Sequence, residues 1–162
     1  MQERPRTLQR MTEVRVSDLL LVFRPVQPAT ATHASAWAAL ERCVPPGCLP
    51  LVGELWELRD AAAPPEDPPC AVALTTTEDS PATVTLHAFA VVPRLRSLGL
   101  GRRLVEELVD AARSAGAWRL VFRVDVAHAR GIPLLARMGF RPIELHSIDD
   151  AGRSRLHMEL DL

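Results

Sequence analysis

Within residues 93–103 the chain carries four arginines (Arg94, Arg96, Arg102 and Arg103), two glycines and no acid. Arg102 and Arg103 fall at the start of an amphipathic stretch, where the positive end of a helix dipole ordinarily favours Asp or Glu by about 0.3–1 kcal/mol. Cations placed there call for an anion between them. Gly99 and Gly101 let the backbone approach a ligand closely, and the N–H groups of a first helical turn have no acceptor within the helix, which is the chemistry of phosphate binding. A Walker-type loop needs Gly-Lys-Ser/Thr, and the chain has no lysine; a dinucleotide fingerprint needs three spaced glycines, and only Gly99 and Gly101 are present. A pyrophosphate cradled by residues 96–101 fits better than either.

Two further groups could move protons. His87 lies on an apolar run four residues before Val91, and an imidazole with its ordinary titration near neutrality suits a general base acting directly or through water. Glu54 and Glu57, on an earlier strand, could attract a cationic amine or serve as the base, ranked below His87.

The elements that must position these groups follow from periodicity. Leu104, Val105, Leu108, Val109, Ala112 and Ala115 make one helical stripe over residues 101–115, stopped by Gly116. Residues 83–92 are too apolar on both faces for an edge strand and predict a buried central one. Residues 118–126 alternate as a strand, so the strand, helix, strand order predicts a parallel crossover. Further strands are predicted at 18–26, 51–59 and 70–76, helices at 31–43 and 132–138, and a closing hairpin from 140–147 and 155–160 across Asp149, Asp150, Ala151 and Gly152. Residues 1–16 read as a flexible N-terminal arm and 17–162 as a single domain of mixed α/β layers.

In that setting residues 91–101, Val-Val-Pro-Arg-Leu-Arg-Ser-Leu-Gly-Leu-Gly, resemble the signature of the GNAT superfamily of acyl-CoA-dependent N-acyltransferases, Val-x-Pro-x-x-Arg-x-x-Gly-x-Gly or Ala. Met138-Gly139-Phe140 resembles the Gly-Phe that ends the family's last helix, and the element order fits from residue 19 onward. The resemblance implies a central, mixed, mostly antiparallel sheet of six to seven strands, splayed between the fourth and fifth and flanked by helices. It implies acetyl-CoA as cosubstrate, without a metal. Arg96, Ser97, Leu98, Gly99, Leu100, Gly101 and Arg102 would hold its pyrophosphate, Val91 and Val92 would pair with its pantetheine arm through their backbone, and His128 would contact it near the last helix. The strand around His87 is similar to that of arylalkylamine N-acetyltransferases, where a histidine at this place is linked to amine deprotonation. The implied activity is direct acetyl transfer to a primary amine of a small molecule or peptide; a non-catalytic acyl-CoA-binding regulatory module is the alternative.

The sequence departs from the family in two places. The family's frequent tyrosine, often the acid for the leaving thiolate, falls at Leu135, and the chain has no tyrosine at all. Pro133 suits a first helical turn, which moves the expected helix start from His128 towards Ile132. The short span from Val44 to Pro50 predicts an open acceptor groove. A net charge of −1 with a pI near 6.5 provides no global field for nucleic acid or anionic membrane, and a homodimer is left open. Cys43, Cys48 and Cys70 are odd in number and lack zinc spacing, which fits reduced thiols in a cytoplasmic protein. The absence of lysine, asparagine and tyrosine together points to a G+C-rich, bacterial genome.

Overall fold

The computed structural model describes residues 12–16, 19–27, 31–42, 49–50, 52–78, 82–125, 130–148, 152 and 154–162. Among them eight strands form one sheet: β1 (Thr12–Val16), β2 (Leu19–Pro25), β3 (Glu54–Asp60), β4 (Ala71–Glu78), β5 (Thr83–Val91), β6 (Arg119–Asp125), β7 (Arg141–Ile148) and β8 (Ser154–Asp161). Their spatial order is β1-β2-β3-β4-β5-β6-β8-β7. All neighbours are antiparallel except β5 and β6, which are joined through α2 (Leu100–Ser114) and run parallel, as the crossover requires. The remaining described helices are α1 (Ala31–Glu41) and α3 (Ile132–Arg137).

One expectation is corrected at the N-terminus. Residues 12–16, read as part of a flexible arm, form β1 and pair antiparallel with Leu19–Phe23, giving one strand more than the six to seven expected. Thr12, Val14 and Val16 alternate with Glu13 and Arg15 over only five residues, too short a run for a periodicity window, yet enough to satisfy the outer hydrogen-bonding edge of β2.

Helices pack against both faces of the sheet. On one, the apolar stripe of α2 places Leu104, Val105, Leu108 and Ala112 against Leu21, Phe23, Trp56, Leu58, Val84, Leu86, Leu120 and Phe122. There the Phe23 and Trp56 rings stack 4.9 Å apart, and the Trp56 indole N–H donates to Thr75 Oγ1 at 3.0 Å. On the other face Ala36 and Leu40 of α1 cover Leu55, Val72, Leu74, Ala88 and Ala90. Positive φ at Gly116 and Gly139 lets the chain turn out of α2 and α3.

The register of β4 on β5 contains a bulge. Leu74 pairs with Ala88, but Thr75 pairs with Leu86, so His87 is an extra residue on β5. Its effect is a switch of faces: Val84 and Leu86 point into the α2 core, and Ala88 and Ala90 into the α1 core. Beyond the bulge β5 also loses β6. The parallel pairing covers Thr83 to Leu86 against Arg119 to Phe122, after which β5 continues on β4 to Val91 while β6 continues on β8 to Asp125. The two strands therefore part from His87 onward, leaving the implied splay between β5 and β6.

Gly53, which leads into β3, lies where a β-carbon would sit 2.8 Å from the Thr75 carbonyl oxygen and 2.9 Å from Leu74 Cδ1. Backbone cannot yield there as a flexible side chain would. Gly53→Ala is expected to destabilise the fold by about 1–3 kcal/mol, lowering Tm by several degrees in a thermal melt. An unchanged melting temperature would show that β3 enters the sheet by another path.

Candidate functional site

Where β5 ends, Pro93–Leu95 forms a single 3-10 turn, with the Leu95 and Arg96 N–H groups donating to the Val92 and Pro93 carbonyls at 3.0 and 3.3 Å. Ser97 (φ 67°) and Gly99 (φ 81°) then take left-handed conformations, and Gly99 caps α2 without any side-chain hydrogen bond. The first helical bond is Arg103 N–H to the Gly99 carbonyl at 3.0 Å, so the N–H groups of Leu100, Gly101 and Arg102 have no acceptor within the helix. A β-carbon on Gly99 would meet nothing within 4 Å, so glycine is needed there for its φ and not for space. At Gly101 it would make ordinary contacts of 3.6–3.7 Å with Leu134, Phe89 and Val91, which places this residue over the floor of the splay.

The turn residues divide by role. Leu100 is buried in the α2-face core, so only its main chain faces the turn, whereas Leu98 is exposed. Arg102 is exposed and loosely held, its Nε donating to Glu106 at 2.8 Å. Arg103 is committed to Glu107, a carboxylate buried within α2. Arg94 lines a separate groove of about 290 Å³ with Asp60, Asp67 and Cys70, on the β4 side of the turn. Arg96 donates from Nε to the Val91 carbonyl at 3.3 Å.

Val91 and Val92 do not offer the same groups. Val92 N–H donates to the Cys70 carbonyl at 3.0 Å and its own carbonyl accepts from Leu95, so both main-chain groups are engaged within the protein. The expectation that Val92 pairs with a ligand is therefore corrected. Because N–H and C=O direction alternates along a strand, the residues whose main chain turns from β4 towards the open side are Phe89 and Val91.

His87 sits at the root of the splay. Its Nε2 is 2.8 Å from Thr76 Oγ1, and Thr85, in the same cross-strand row as Thr76, is buried with an unpartnered hydroxyl. Burial first, then the charges of Arg123 and Arg155, push the imidazole down to about 4 from 6.5. The expectation of titration near neutrality is overturned: the ring is neutral at physiological pH and weakly basic, with either of its nitrogens available to carry the proton.

Glu54 and His87 do not meet. Glu54, Thr75 and Leu86 form one cross-strand row directed to the α2 face, while alternation from Leu86 turns His87 to the α1 face with Thr76, and the bulge keeps Ala88 on that face beside it. Burial raises the Glu54 carboxyl above its usual range, and its Oε2 has no partner. Glu57 is buried and bound by Arg24 Nε at 2.7 Å and Arg59 Nε at 3.3 Å, which makes it part of the sheet's framework and not a group open to an acceptor. Leu135 is fully buried in the α2-face core. His128, Cys43 and Cys48 lie outside the described residues, as does most of the short span on which the open groove was expected. Sequence reasoning missed Thr76, Phe89, Arg123 and Arg155; alternation placed each on a strand, but nothing local signalled which of them share a face with His87.

Among the described residues no group of three or more His, Cys, Asp or Glu could hold a metal ion, and no helix is long and apolar enough to cross a membrane. No match is found among curated proteins. Among solved structures the chain resembles the NatC complex bound to Gag peptide and CoA (14% identity, TM-score 0.72, covering 88% of this chain and 98% of that one). It also resembles the ribosomal-protein-S18-alanine N-acetyltransferase from Escherichia coli (21%, 0.66, 87% and 93%) and a Bacillus subtilis acetyltransferase in complex with CoA (18%, 0.67, 86% and 97%). These likenesses concern the fold. Residues 32–140, from α1 through the uncapped turn and α2 to the Gly139-Phe140 stop, match the acetyltransferase (GNAT) family, and the chain belongs to that family.

Proposed function

We propose that this protein transfers the acetyl group of acetyl-CoA directly to a primary amine of a small molecule or peptide, in the splay between β5 and β6. The observation that carries the reading is the uncapped N-terminus of α2: three N–H groups without helical acceptors, two left-handed residues before them and Arg102 beside them, next to a strand edge left open by β6. These residues fit a diphosphate: the first turn of α2 carries Arg102 and Arg103 where its dipole favours an acid, and Gly99 leaves its N–H groups uncovered by any side chain. Two of the similar structures are described with CoA bound.

In this reading Ser97 to Arg102 hold the pyrophosphate through main-chain N–H groups, and Phe89 and Val91 pair with the pantetheine arm, Arg96 yielding the Val91 carbonyl. When bound, acetyl-CoA supplies a thioester whose acyl carbon is open to attack by an amine. The neutral His87 ring accepts a proton from the acceptor nitrogen, directly or through water, with Thr76 fixing its orientation. Glu54, on the opposite face, is assigned no step. Leu135 cannot protonate the leaving thiolate, and a thiol with an ordinary pKa near 8.5 leaves without a dedicated acid. The absence of lysine, asparagine and tyrosine supports placing the protein in a G+C-rich bacterium, and the buried thiol of Cys70 fits a reducing cytoplasm.

That same apolar Leu135 supports a second reading, a regulatory module that binds acyl-CoA without turnover. Incubation of the purified protein with acetyl-CoA and a broad panel of amines, following release of free thiol, separates them. Amine-dependent thiol release is expected; saturable CoA binding with no release above background across the panel would favour the module instead.

A further inference from the structure

The α1 face of the sheet is not evenly covered. Among the described helices α1 packs over β3, β4 and β5, and α2 and α3 pack on the opposite side, so no described helix packs closely over the part of this face carried by β6 and β8. Leu120 and Phe122 point into the α2-face core, as do Leu156 and Met158, which turns Arg119, Val121 and Arg123 of β6 and Arg155, His157 and Glu159 of β8 to the α1 face. This is also the face on which His87 lies, opposite Leu86 and alongside Thr76.

Arg119 of this set is paired with Glu159 at 3.4 Å, and the charges that act on the proposed base itself are two guanidinium groups. Arg123 lies on β6, just beyond the last residue paired with β5, and Arg155 on β8, and both act electrostatically on the His87 ring. The charged side chain of β4 nearest Arg123 is Glu78, whose Oε1 is 3.5 Å from Arg123 Nη2, beyond good hydrogen-bonding distance, and both side chains are substantially exposed. Arg123 Nε is buried without a partner, and close by on the same face the Thr85 hydroxyl is 99% enclosed and also unpartnered. A guanidinium with an unfilled donor and an orphan hydroxyl therefore share a face with the ring that must meet the acceptor. Such surroundings repel a simple ammonium ion or a polyamine, and they suit an acceptor that brings its own negative charge.

Resting on the acetyltransferase reading above, we propose that the acceptor is an amine bearing a carboxylate next to the nitrogen, as an α-amino acid does, and that Arg123 binds this carboxylate while His87 faces the amine. Arg123 is then a specificity-determining residue and Thr85 a second hydrogen-bonding group for the same oxygens.

The test uses the full chain saturated with CoA and compares N-acetylalanine with N-acetylalaninamide by calorimetry, so that binding is read independently of turnover. The carboxylate is expected to bind at least tenfold more tightly than the amide, and Arg123→Gln to remove most of that preference while leaving CoA affinity within twofold. Arg123→Lys, which retains the charge without the fork, should keep part of it and guards against a folding defect in the glutamine variant. Equal affinities, tighter binding of the amide, no binding of either ligand, or a preference unaffected by Arg123→Gln would each overturn the proposal. Loss of CoA binding by the parent protein would instead sink the acetyltransferase reading, so the two failures are distinct.

Discussion

Arg102→Glu is expected to weaken CoA binding about ten- to hundredfold while leaving the fold almost unchanged. The side chain is two-thirds exposed and engages only Glu106 of its own helix, so its structural contribution is small. Loss of that i,i+4 pair and creation of a like-charge pair cost roughly 0.3–0.5 kcal/mol each, whereas an acid in the first turn of a helix regains about 0.3–1 kcal/mol from the dipole. The net change in Tm should stay within a few degrees. At the turn, the exchange reverses one unit of charge beside a diphosphate, worth about 1–3 kcal/mol at effective dielectric constants between those of the protein surface and water. Calorimetry with CoA and with pantetheine, which lacks the nucleotide, isolates the effect: CoA loses affinity and pantetheine does not. Equal CoA affinity in parent and variant would place the pyrophosphate away from α2.

His87→Ala should lower kcat at least a hundredfold with CoA affinity unchanged, because the ring lies on the α1 face at the root of the splay and away from the turn. The parent's pH–rate profile should also lack an acid limb between pH 6 and 7. An imidazole pushed down to about 4 stays neutral throughout that range, so any limb due to His87 belongs near pH 4. Stability carries the same signature with a definite sign. Between about pH 6.5 and 4 the unfolded chain binds a proton at this position that the folded chain refuses, so acidification through that window destabilises the parent by about 1–3 kcal/mol, solvent screening of the half-buried ring included. Above pH 6.5 the contribution vanishes, since the ring is neutral in both states. His87→Gln removes the titrating group and should flatten this part of the stability–pH curve, as read from denaturant midpoints at pH 7 and 4. A kcat limb near 6.5 in the parent, or full activity in His87→Ala, would remove His87 from the base role.

The groups around His87 also bear on the regulatory-module alternative. Leu135 lies wholly within the core, so the position implied for the family's tyrosine serves packing here. Thr76 at 2.8 Å, the unpartnered Thr85 hydroxyl and Arg123 are instead polar groups gathered with His87 on the α1 face, where the proposed transfer would place the acceptor.

The amino-acid sequence by itself determined the parts whose physics is local. The stripe from Leu104 to Ala112, the stop at Gly116, the apolar run of β5 and the Arg-Gly turn from Arg96 to Gly101 are each specified by residues within a few positions of one another, through side-chain periodicity and φ preferences. Only the tertiary structure decided what depends on register and partners distant along the chain. The bulge that puts Ala88 and Ala90 on the same face as His87 is a mismatch between β4 and β5, invisible in either strand alone. The engagement of Val92 requires Cys70, the burial of Glu57 requires Arg24 and Arg59, and the depressed basicity of His87 requires Arg123 and Arg155 from two other strands. Because side chains alternate along a strand, a one-residue bulge changes which face is presented, and with it whether a titratable group serves the site or the framework.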